Sequence, residues 1–66
     1  MPVITYQGAH LSTEMKKELI EKLTATAVEI TQTPSNFFTV IIQEFSDENL
    51  GVNGESVSDI KARLHG

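Results

Sequence analysis

The sequence predicts an α+β chain: one β-α-β unit followed by a C-terminal β-hairpin, too small to close its own core. Three observations carry this. A β-branched and aromatic run, Pro2 to Gln7, precedes a long segment with helical periodicity. A second and stronger strand signal, Phe37 to Phe45, follows that segment. Beyond it, Leu50 to Glu55 carries an Asn-Gly pair typical of a tight hairpin turn.

In order, strand one is expected over Pro2–Gln7, with Val3, Thr5 and Gln7 on one side and Ile4 and Tyr6 on the other. Gly8 ends it, and a short loop runs to Leu11. Ser12 or Thr13 caps a helix, and Glu14 suits the positive end of its dipole. Met15, Leu19, Leu23, Ala27 and Ile30, with Ile20 beside them, form its apolar stripe. Lys16, Lys17, Glu18, Glu21, Lys22 and Glu29 read as a solvated face. Thr31, Thr33 and Pro34 stop the helix, since a residue before proline avoids helical angles. Phe37–Phe45 is nearly continuous in apolar character, which predicts a strand buried on both faces and parallel to the first. Gly51 and Gly54 are expected to supply backbone angles that other residues resist. Ser56–Leu64 reads as one short helix or turn with Val57, Ile60 and Leu64 on its apolar side. Arg63 lies near the flexible end, and His65 reads as tail.

The 66 residues make one domain, residues 1–66, which on its own buries only about 60% of the surface that its unfolded chain exposes. There are no cysteines, so no disulfide compensates, and His10 and His65 have no metal-ligand spacing. Phe37, Phe38, Val40, Ile41, Ile42 and Phe45 exceed what one helix covers. Each such side chain is worth about 1.5–3 kcal/mol when buried. An obligate homo-oligomer follows, with the hairpin as the arm that grips a neighbour. The net charge of −4, from 5 Lys+Arg against 9 Asp+Glu, argues against nucleic acid and anionic membranes as partners. No apolar run reaches membrane-spanning length, and no secretion signal is seen at the start, which points to the cytoplasm.

Met1-Pro2 allows two readings. Proline is well tolerated at the first residue of a strand. If Met1 is removed, Pro2 instead becomes a terminal secondary amine, and an α-amine titrates at about 7.7–8.0, near the pH where a general base works best.

Met-Pro-strand, then Ser-Thr-Glu-Met-Lys-Lys-Glu-Leu-Ile, then Val-Ile-Ile-Gln-Glu-Phe, then Leu-Gly-Val-Asn-Gly-Glu occur in this order along nearly the whole chain. The set resembles the 4-oxalocrotonate tautomerase family. The resemblance implies a tautomerase fold assembled from dimers, most often as a hexamer, and an isomerase that works without cofactor or metal. It implies that Pro2 is the catalytic base for enol-to-keto proton transfer on a small enol or keto acid, such as a 2-hydroxydienoate or an arylpyruvate. Family members stabilise the oxyanion with arginines, often from neighbouring subunits. Here those positions fall at Leu11 and Thr39, and the aromatic wall of the pocket falls at Leu50. His10, Thr39, Leu50 and Val52 are the substitute substrate-binding candidates. For each a structural role competes: loop histidine, strand former, interface packing. Tyr6 reads as a space filler and Glu44 as a capping or interface charge. The missing arginines keep two alternatives open, a non-catalytic oligomeric scaffold and a binding module for carbonyl compounds.

Overall fold

Val3–Gly8 forms β1 and Thr39–Glu44 forms β2 in the computed structural model, which describes residues 1–65. The two strands pair in parallel, in register from Val3 opposite Thr39 to Gly8 opposite Glu44. The crossover is helix α1, Thr13–Thr31. Ser12 is its N-cap: the Ser12 hydroxyl accepts the Met15 amide at 3.1 Å. Gln32, in the left-handed region at φ 58°, closes it before Thr33 and Pro34, and its amide donates to the Val28 carbonyl. The β-α-β unit expected from the sequence is therefore present.

Both strands alternate strictly between half-buried and exposed residues. Ile4, Tyr6, Val40, Ile42 and Glu44 occupy the covered face, and Val3, Thr5, Gln7, Thr39, Ile41 and Gln43 occupy the bare one. Burial on both faces of β2 is not achieved within one subunit. Phe37 also falls outside the strand, in a 3-10 turn at Ser35–Phe37. The helical stripe differs from its expected membership too. Leu19, Leu23 and Ala27 are half-buried, but Met15 is 54% and Ile30 75% exposed. Length explains Ile30. A helix of 19 residues extends about 28 Å and a strand of 6 about 20 Å, so the last turns overhang the sheet. Lys16, read as solvated, is half-buried instead.

After β2 a 3-10 turn, Asp47–Asn49, leads into the hairpin of β3, Gly51–Val52, and β4, Glu55–Ser56. Asn53 and Gly54 make its two-residue turn, with φ of 53° and 80°. Both central residues are left-handed, as a primed hairpin turn requires. Gly51 lacks a positive φ, contrary to expectation. A Cβ there would meet only the Glu55 carbonyl at 3.6 Å, an ordinary contact. Helix α2, Val57–His65, follows directly. Arg63 therefore lies within the helix expected over Ser56–Leu64, while His65, expected in the tail, ends that helix. Ion pairs tie α2 back to the arm, Lys61 with Asp47 at 2.9 Å and Arg63 with Glu55.

No described side chain is fully buried. The radius of gyration is 15.3 Å, whereas a compact chain of this length has about 11 Å. The accessible surface is 5044 Å², about 900 Å² above that of a compact monomer of this mass. That excess is about what one partner buries in a standard-size interface.

Candidate active site

Parallel pairing sets the N-terminal ends of both strands together. The Thr39 amide donates to the Pro2 carbonyl at 3.1 Å, extending the ladder one step past Val3. Pro2 is thus held through its carbonyl, and its ring nitrogen, bonded to Met1 in this chain, has no proton to donate to the ladder. Pro2 and Thr39 are both exposed. Of the candidate residues, these two come together within one subunit.

His10 does not join them. It lies in the loop after β1, at the opposite end of the pair, about 20 Å away by strand length. Leu11 beside it lines an open groove of about 360 Å³ with Tyr6, Met15, Leu19, Glu18 and Lys22. Tyr6 reaches this groove by lying back over Gly8, where an added Cβ would sit 2.7 Å from the phenol oxygen. The groove is mainly apolar, and its one cation, Lys22, is paired with Glu18 at 2.7 Å.

Leu50 and Val52 lie on the C-terminal arm. The Leu50 carbonyl accepts the Val57 amide at 2.8 Å, which fixes the arm's closure, and Val52 is 58% exposed. Within one subunit the five candidates therefore occupy three places.

Glu44 is the residue whose reach the sequence did not reveal. Strand alternation turns it toward the helix, where it meets three donors from two other segments. The Leu11 amide donates to it at 2.8 Å and the Lys16 ammonium at 2.9 Å, and His10 Nδ1 lies 3.5 Å away. The backbone hydrogen bond from Leu11, foremost, and the Lys16 ammonium hold its carboxyl down from the ordinary 4.5 to about 2. Its side chain is 22% exposed. The one available signal was a glutamate ending a buried-type strand with a lysine in the first turn of the crossover helix. Among the described residues no three His, Cys, Asp or Glu side chains are grouped to hold a metal ion. No described helix is long and apolar enough to cross a membrane.

Comparison with known proteins agrees with this architecture. Residues 2–60 match the family model described as tautomerase enzyme. A protein described as a probable tautomerase from Bacillus cereus is 38% identical over 60 residues, spanning 89% of this chain and 98% of its own length. The crystal structure of TomN, a 4-oxalocrotonate tautomerase homologue of the tomaymycin biosynthetic pathway, superposes with a TM-score of 0.89. Its sequence is 34% identical, covering 92% of this chain and 95% of TomN. A heterohexameric 4-oxalocrotonate tautomerase from Chloroflexus aurantiacus superposes with a TM-score of 0.81 at 28% identity, covering 91% and 97%. The chain belongs to the tautomerase family, with the 4-oxalocrotonate tautomerase fold.

Proposed function

We propose that the mature protein begins at Pro2 and that its secondary amine is the general base of a cofactor-independent enol-keto isomerase. The neutral amine takes the enol hydroxyl proton and returns it to the α- or γ-carbon. Between the two steps, negative charge is spread over the conjugated oxygen and carbons. That charge calls for a hydrogen-bond donor aimed at the oxygen. The observation that carries the reading is the position of Pro2, anchored by its carbonyl at the open start of β1 in a chain whose family match starts at that residue.

Assembly completes the site in this reading. Two copies joined edge to edge by a two-fold axis run antiparallel, which sets the Pro2 end of one beside the His10–Leu11 end of the other. Thr39 from the same subunit and His10 from the neighbour are the donors available where the family uses arginine. Leu50 and Val52 of an arm supply apolar wall. A hexamer built from such dimers fits the uncovered sheet face, and the cytoplasm is its setting. Leu11 and Thr39 in place of cations favour a less charged substrate, an arylpyruvate or an apolar 2-hydroxydienoate, over a dicarboxylate. The same replacements favour, as a second reading, a scaffold or carbonyl-binding module that has lost turnover.

Intact mass and enol conversion test the proposal together. The mass should correspond to a chain lacking Met1. Pro2→Ala should lower kcat/KM for the enol of phenylpyruvate by about 10²–10⁴-fold with assembly unchanged. A retained Met1 in active protein, or full activity in Pro2→Ala, sinks the base. A correctly assembled wild type without turnover of any enol favours the second reading.

A further inference from the structure

We propose that Glu44 is a positioning residue for substrate: its carboxylate clamps the His10–Leu11 loop to α1 so that Leu11 is held as a fixed apolar wall. This rests on the reading above, in which that loop faces the Pro2 of a neighbouring subunit.

The geometry of one carboxylate carries the inference. Glu44 ends β2, Leu11 ends the loop after β1, and Lys16 stands in the first turn of α1. One oxygen takes the Leu11 amide at 2.8 Å and the other takes Lys16 Nζ at 2.9 Å. His10 Nδ1, 3.5 Å from the first oxygen, adds a further donor when protonated. Three segments thus meet at one side chain, with sequence separations of 33 and 28 residues for the two hydrogen bonds. Charge-assisted hydrogen bonds are roughly twice as strong as neutral ones, and here one ties Leu11 to the end of β2 while the other ties that same carboxylate to α1. Elsewhere in the loop, neither Ala9 nor His10 donates its amide to a backbone carbonyl among the described residues. Freeing the carboxylate would therefore release the loop while leaving the β1–β2 ladder intact. The Leu11 side chain, which lines the groove with Tyr6, Met15 and Leu19, would lose its fixed position.

A contact that served the fold alone would change the amount of assembled enzyme. A positioning contact changes substrate affinity in enzyme that is fully assembled. Glu44→Gln keeps the shape and an acceptor for Leu11 but removes the charge, and Glu44→Ala removes both. With the enol of phenylpyruvate as probe, Glu44→Ala should raise KM about tenfold while kcat stays within about threefold, at unchanged mass by light scattering. Glu44→Gln should fall between Glu44→Ala and wild type. An unchanged KM overturns the proposal, as does an activity loss that follows only the loss of assembly. Hydrogen exchange on the wild type needs no variant. The Leu11 amide should exchange at least tenfold more slowly than that of His10, and equal rates overturn the clamp. Pro2→Ala run in parallel separates the two failures. Full activity there removes the base reading while the Glu44 comparison still reports on KM. If wild type turns over no enol, binding of phenylpyruvate by calorimetry replaces KM.

Discussion

Placing a charge on the bare sheet face should abolish assembly, and Ile41→Asp is the sharpest form of the test. Ile41 lies in the middle of β2 on the uncovered face and keeps 41% of its surface exposed in the subunit. Full burial of an isoleucine is worth about 1.5–3 kcal/mol, so a partner covering the rest contributes about 0.6–1.2 kcal/mol per copy. That alone would only weaken the assembly. Burying an unpaired carboxylate costs several kcal/mol more per copy, and this second effect decides the outcome. Ile41→Val removes one methylene, about 0.8 kcal/mol when fully buried, and should leave the mass unchanged. Sedimentation velocity at micromolar concentration is the assay. Wild type and Ile41→Val should sediment as one oligomer, and Ile41→Asp as monomer or unfolded chain. An Ile41→Asp protein that assembles like wild type would refute the reasoning, because it would show that this face meets solvent.

Two further outcomes follow from single residues. Gly54→Ala should cost about 1 kcal/mol in denaturant unfolding because its φ of 80° lies in the left-handed region, while Gly51→Ala should be nearly neutral. Acid stability should report the Glu44 carboxylate, whose folded value is held below its ordinary one. The contribution is fully present above about pH 4.5 and is lost as pH falls through about 2. The Tm difference between wild type and Glu44→Gln, measured at one protein concentration, should therefore be constant above pH 5 and shrink toward zero near pH 2. A difference independent of pH would remove the carboxylate charge as its cause.

Sequence and structure divide the work along a physical line. Local signals were legible. Ser12 caps α1 because its hydroxyl reaches an amide three residues on, whatever the rest of the chain does. Asn53-Gly54 turns the hairpin because few other residues accept two left-handed angles in succession. Pro34 ends the crossover for the same kind of reason. The parallel pairing of two strands flanking one amphipathic helix followed from pattern and length. The need for partners followed from counting apolar residues against one helix. What the tertiary structure decided depends on which surfaces meet. Periodicity marked Met15 and Ile30 as apolar face but carries no information on where the sheet ends, and both are left exposed. Lys16 read as part of a solvated face and Glu44 as a capping or interface charge. Only the strand's pleat and the helix's start point bring them to 2.9 Å. The same chain geometry sets Pro2 and Thr39 at one end of the subunit and His10 and Leu11 at the other. Sequence order brings such residues onto one chain. The length of a strand, about 20 Å, keeps them apart on it.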